Sequence, residues 1–178
     1  MKIFVLVLFS LLIVEHTHAE QRLWDIRLGD PCDNIAETES LLGSLKLSID
    51  TEEGISKYSG THDGMNAIIV YRCVKGLLVE QRIIVAGISL DEANQFANEQ
   101  QIKLAERFGD PIHNGLDLSF WKKLFFGFMG ADLDYLTRVI VWGRAKHDAM
   151  LLIKDVGTNL WQITISQGSS KTEYILNS

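Results

Sequence analysis

The period of the apolar positions changes several times along the chain, and each change marks an element. Residues 3–14, IFVLVLFSLLIV, form an unbroken apolar run behind Lys2. From residue 31 to 42 the apolar positions Ile35, Ala36, Leu41 and Leu42 fall at helical spacing, with Asp30 as cap, Pro31 at the first helical position and Gly43 past the end. Residues 45–49 alternate and predict a strand. Residues 50–64, DTEEGISKYSGTHDG, are polar and punctuated by glycine, which predicts a loop. Residues 66–74 and 77–85 predict two strands joined at Lys75-Gly76. Alternation in the second puts Leu77, Val79, Ile83 and Val85 on one face, and Leu78, Glu80, Arg82 and Ile84 on the other.

The strongest helix follows. Ser89 and Glu92 form a capping box, Ala93, Phe96, Ala97, Leu104 and Phe108 recur at helical spacing, and Gly109 and Pro111 end the run. Residues 116–120 alternate. Strand-like runs at 136–142, 149–153 and 160–166 close the chain, with turns at 145–148 and 157–159, and residues 171–178 read as a loose tail. Helix and then strands occur twice in this order. The chain therefore reads as one two-layer α+β domain, residues 20–170, with an antiparallel sheet and two packed helices. The repeated order also admits two tandem helix-plus-strands units, 26–87 and 89–166.

The amino-terminal run decides the compartment. It is too short for a bilayer core of roughly 30 Å, which needs about 20 apolar residues, and it ends in small residues Thr17 and Ala19 before Glu20. Residues 1–19 therefore read as a signal peptide, leaving no integral membrane span after cleavage and an exported chain, periplasmic or secreted. Export changes the reading of the two cysteines, Cys32 and Cys73, because an oxidising compartment permits a disulfide and two cysteines allow one intramolecular pairing. A thiol role survives only for Cys32, near the start of a helix; Cys73 sits in an apolar strand where burial would blunt it.

Gly29-Asp30-Pro31 leading a helix that ends in Leu41-Leu42-Gly43, followed by antiparallel strands, resembles the exported modules of the BamE-like and beta-lactamase-inhibitor-protein-like families. The resemblance covers residues 26–87 and, more faintly, 89–166. It implies a non-catalytic exported module that binds other proteins.

The net charge of −6 argues against nucleic acid as a partner, since that affinity is built from lysine and arginine. His62, His113 and His147 show no metal-ligand spacing, and no HExxH, CxxC or GxSxG occurs. No cofactor is implied. His62-Asp63 and His147-Asp148 lie beside turn residues and read as solvated; a dyad of Cys32 or Ser119 with His62 would need the fold to assemble it. Tyr71, Trp142 and Trp161 fall in strand patterns and read as core or sheet-face residues. Residues 119–130, SFWKKLFFGFMG, concentrate Phe120, Trp121, Lys122, Lys123, Phe125, Phe126 and Phe128. As a helix this stretch has an aromatic side and a lysine side; as strand and turn it feeds rings into the core. Its rings are the candidate contacts for a protein partner in the envelope or outside the cell, because interfaces are enriched in aromatic anchors. The alternative function is a pocket-bearing enzyme or small-ligand carrier with its site between the two units.

Overall fold

In the computed structural model, residues 26–47, 54–115, 136–144 and 147–169 are described. Among them, eight strands form one antiparallel sheet in the order β1-β2-β3-β4-β8-β7-β6-β5. A 3-10 turn, Cys32–Asn34, runs directly into α1, Ile35–Leu41. The strands are β1 Leu45–Lys46, β2 Ile55–His62, β3 Met65–Val74, β4 Leu77–Ile88, β5 His113–Gly115, β6 Leu136–Arg144, β7 His147–Gly157 and β8 Leu160–Ser169. Helix α2, Leu90–Phe108, follows β4 and packs across β6, β7 and β8. The α+β reading and the antiparallel sheet are thus present.

Register explains which side chains meet. Ile69, Tyr71, Ile83 and Val85 face the helices, as do Ile140, Trp142, Leu151, Ile153, Ile163 and Ile165 farther along the sheet. Ala93, Phe96, Ala97, Leu104 and Phe108 of α2 complete this core. The capping box forms as expected, with Ser89 Oγ accepting from the Glu92 N–H and the Ser89 N–H donating to the Glu92 carboxylate. The intervening residues of each strand point to the other side of the sheet, where Val139, Val141, Met150 and Leu152 form a separate buried cluster.

Several expectations are corrected. Residues 50–64 are not one loop, because Ile55–His62 is β2, paired along its length with β3. Its sequence, ISKYSGTH, is too polar to show a strand period; only Tyr58 and His62 are fully buried. The alternation expected for β4 fails at its start. A bulge opposite Arg72 and Cys73 makes Val79 an extra residue, so Cys73 pairs with Leu78 and Arg72 with Glu80. Leu78 consequently turns to the core, while Leu77 is exposed. Asp30 does not cap α1. Its carboxylate accepts from the Arg27 N–H, and Pro31 occupies the cap position of the 3-10 turn without a side-chain bond. His147-Asp148 belongs to β7 rather than to a turn. The strand expected at 45–49 is described only as Leu45–Lys46. Residues 1–19, 116–120, 119–130 and 171–178 lie outside the described residues.

Tight turns close three hairpins. Asp63-Gly64, Lys75-Gly76 and Thr158-Asn159 all have positive φ, the geometry that matches strand twist. Gly54 closes the start of β2 over β3: its carbonyl accepts from the Cys73 N–H at 2.7 Å, and a β-carbon there would collide with the Cys73 carbonyl. Cys73 is joined to Cys32 in a disulfide across 41 residues of sequence. Backbone bonds reinforce the same seam, with Gly29 N–H donating to Leu78 O and Cys32 N–H to Gly76 O. The bond is compatible with an oxidising exported location. It leaves no thiol on Cys32, which removes the thiol role and any Cys32–His62 dyad.

Replacing Cys32 and Cys73 together by serine is expected to lower stability by about 4 kcal/mol, from the loop entropy restored to the unfolded chain. Denaturant unfolding of the wild type with and without reductant checks the figure; equal midpoints would contradict it.

Candidate functional site

The side of β2, β3 and β4 opposite α1 and α2 carries a shallow depression of about 460 Å³. Register builds it from adjoining cross-strand rows. Lys57, Val70 and Arg82 lie side by side in one row, and Ile55, Arg72 and Glu80 in the next. Ile84 adds a further apolar wall. Nearby on the same side, Ile68 is 41% exposed, large for an isoleucine in mid-sheet. Continuing across the sheet, Thr164 and Ser166 of β8 are buried on this side as well.

Charge in the depression converges on Glu80. Glu80 is only 7% exposed and serves two guanidinium groups. Arg82 Nε donates to Glu80 Oε1 at 2.6 Å, and Arg72 Nη1 lies 3.6 Å from Glu80 Oε2. Lys57 lines the same depression.

The opposite side of the same strand segments is held rigidly. Tyr71, between Val70 and Arg72, donates its hydroxyl proton to Glu39 Oε1 at 2.5 Å, both residues being fully buried. Gln81, between Glu80 and Arg82, donates to the Tyr71 hydroxyl at 3.4 Å. Tyr58, next to Lys57, packs edge-to-face on Tyr71 with ring centroids 6.0 Å apart. Burial is the main cause that raises the Tyr58 phenol above its ordinary pKa; a hydrogen bond with Ser56 opposes it and the negative Glu39 adds to it.

A second polar cluster joins the β2–β3 turn to α2. Gln100 Nε2 donates to Asp63 Oδ2, Lys103 Nζ donates to the same oxygen at 2.9 Å, and His62 Nε2 lies 3.3 Å from Gln100 Oε1. His62 is buried against Phe96, not solvated as its turn position suggested. The cluster ties a hairpin to a helix.

No protein-family model, curated protein sequence or solved structure matches the chain. Function therefore rests on the site itself.

Of the expected site residues, the structure joins Cys32 to Cys73. Phe120, Trp121, Lys122, Lys123, Phe125, Phe126 and Phe128 lie outside the described residues, as does Ser119. Tyr71 and Trp142 are fully buried and Trp161 partly so, all against the main core. His113 is half-buried on β5, with Nε2 3.2 Å from Gly115 O. Among the described residues, no group of three or more His, Cys, Asp or Glu could hold a metal, and no helix is long and apolar enough to cross a membrane. The residues of the depression were missed. Lys57 falls in the expected loop 50–64 and Arg72, Glu80 and Arg82 in separate strand patterns, and only the β2–β3–β4 register brings them together.

Tyr71→Phe is expected to cost about 2 kcal/mol, since it removes a hydrogen bond to a buried carboxylate; chemical denaturation measures it, and a change below about 0.5 kcal/mol contradicts it. Alkaline stability provides a further check. An unfolded tyrosine ionises near pH 10, while folded Tyr58 ionises only at higher pH. Its contribution is therefore fully present below the unfolded value and lost as pH rises toward the folded one. Melting temperature should fall less steeply above about pH 10 in Tyr58→Phe than in the wild type; parallel curves would contradict the assignment.

Proposed function

We propose that the protein is an exported, non-catalytic protein-binding module, an inhibitor or envelope accessory protein, that docks its partner on the side of β2, β3 and β4 opposite α1 and α2. The observation that carries this reading is the depression itself: an open, mixed apolar and cationic surface on strands pinned from behind by the Glu39–Tyr71–Gln81 network and by the disulfide. Such pre-ordering favours association, because little side-chain or backbone freedom remains to be lost on binding.

Signal-peptide removal after Ala19 and oxidation of Cys32 and Cys73 belong to the same reading, as does the resemblance to BamE-like and beta-lactamase-inhibitor-protein-like modules. The strand order supports a further step. It runs β1 to β4 and then β8 to β5, so each half contributes its last strand to the middle of the sheet. This arrangement favours two tandem units related across the β4–β8 pair, with the Lys75-Gly76 hairpin matched by the Thr158-Asn159 hairpin. The alternative of an enzyme or carrier with its site between the units receives less support, since the depression is lined by β2, β3 and β4 rather than by both halves.

The test compares the two sides of the molecule. Mature chain, residues 20–178, is immobilised and exposed to an extract of exported proteins, alongside Ile68→Glu and Arg72→Glu on the docking side and Ile102→Glu on the exposed side of α2. The expected result is a defined protein retained by wild type and by Ile102→Glu, with affinity reduced at least about tenfold, or 1.4 kcal/mol, in the other two, both still folded, Arg72→Glu melting lower because its carboxylate faces Glu80. Undiminished retention by the docking-side variants, or none by the wild type, overturns the reading.

A further inference from the structure

We infer that Arg138 and the three carboxamides around it form a carboxylate-binding site on the helix side of the sheet, separate from the depression, which takes a small organic acid or an acidic side chain of a protein. Three placements assemble it. Asn98 and Gln101, at helical spacing, share one flank of α2. Asn114 stands across from Ile140 on β5, the edge strand. Arg138 precedes Ile140 by one alternation on β6 and pairs with the core residue Ile153, so its side chain lies on the same side of the sheet as α2.

The hydrogen bonds determine what this cluster offers. Arg138 Nε donates to Asn114 Oδ1 at 3.3 Å, Nη1 to Asn98 Oδ1 at 3.4 Å and Nη2 to Gln101 Oε1 at 3.0 Å. A guanidinium has five N–H groups and accepts nothing. One N–H therefore remains on each terminal nitrogen, and each carboxamide must turn its oxygen toward Arg138 and its NH2 group away. Asn98 and Asn114 are exposed, while Arg138 and Gln101 are half-buried. The open side of the cluster is thus rich in donors, with its carboxamide oxygens already engaged. A group that only accepts answers such a set, and a carboxylate is one.

Charge points the same way. On the opposite flank of α2, Lys103 meets the Asp63 carboxylate at 2.9 Å, and on β4 Arg82 meets that of Glu80. Arg138, by contrast, meets only neutral oxygens among the described residues. Glu99, next to Asn98 in the chain, accepts from Gln95 at 3.1 Å on the exposed face of α2. Asp91 shares the flank of Asn98 but stands two turns away, roughly 10 Å along the helix axis. One cation among neutral donors matches a singly charged carboxylate. A phosphate dianion would leave negative charge unanswered on a chain that already carries −6.

The experiment titrates the isotopically labelled mature chain with acetate, its neutral counterpart acetamide, a capped single glutamate and inorganic phosphate, following amide shifts by NMR. Acetate is expected to move the backbone amides of 98, 101, 114 and 138 and the side-chain NH2 signals of the three carboxamides together. It should bind at least about tenfold more tightly than acetamide and weaken as salt rises. A capped glutamate that binds as tightly as acetate assigns the site to a protein side chain; weaker binding assigns it to a small acid. Arg138→Gln should weaken acetate at least about tenfold. Asn98→Asp, nearly the same size, hands Arg138 an internal carboxylate and should do the same, which keeps the test decisive should Arg138→Gln fail to fold. Shifts scattered over surface cations, acetamide or phosphate binding as tightly as acetate, or undiminished acetate binding by a folded Asn98→Asp chain would each overturn the inference.

Discussion

The pairing of β4 with β8 is the constraint on which the rest depends. It joins strands far apart in the chain, from Glu80↔Gly168 to Ile88↔Trp161, and turns two antiparallel groups into one sheet. Helix α2 leaves the end of β4 and packs across β6, β7 and β8 of the other group while Phe96 also meets His62 of β2, so the two halves share one hydrophobic core. Neither half would bury the same apolar surface alone. A small sheet with a single short helix offers little core, and burial of apolar area is the dominant favourable term in folding.

Within that frame the two sides of β2, β3 and β4 carry different duties. The helix side places a carboxylate, Glu39, in the core and meets it with the Tyr71 hydroxyl. A buried polar group left without a partner would be costly, so this bond fixes α1 against β3 and orients Tyr71 relative to Gln81 and Tyr58. Because successive residues of a strand point to opposite sides, fixing Tyr71 and Gln81 also fixes the backbone that carries Val70, Arg72, Glu80 and Arg82. Core order and surface order are mechanically one thing here. The disulfide and the Gly54–Cys73 contact add the same restraint at the hairpin end.

Much of this fold was legible in the chain, and the illegible parts share a cause. Helix α2 announces itself through Ser89, Glu92 and a stripe from Ala93 to Phe108, all local signals. The disulfide followed from parity and compartment. Strand β2 was hidden because its neighbours, not its composition, make it a strand, although Asp63-Gly64 is a hairpin signal that could have placed a strand before it. The bulge at Val79 reversed the expected sides of Leu77 and Leu78, since alternation carries no mark of an inserted residue. His62 reads as solvated beside its turn, and nothing local marks Glu39, Gln81 or Gln100 as buried. Their partners Tyr71, Asp63 and Phe96 are brought to them by the fold, and no local pattern anticipates a long-range polar contact.

The same reasoning explains why the aromatic stretch at 119–130 drew attention first and the depression none. Rings crowded in sequence are conspicuous, whereas Lys57, Arg72, Glu80 and Arg82 are spread over three strands, Lys57 in a polar stretch without strand period and the others within ordinary strand patterns. Register converts them into a site. Arg72 stands directly across from Glu80, an opposite-charge pair favoured in antiparallel sheets, while Lys57 and Arg82 are kept apart by Val70 between them, so their repulsion is spread over two strand spacings. That placement lets three strands carry several charged side chains on one side of the sheet without breaking their pairing.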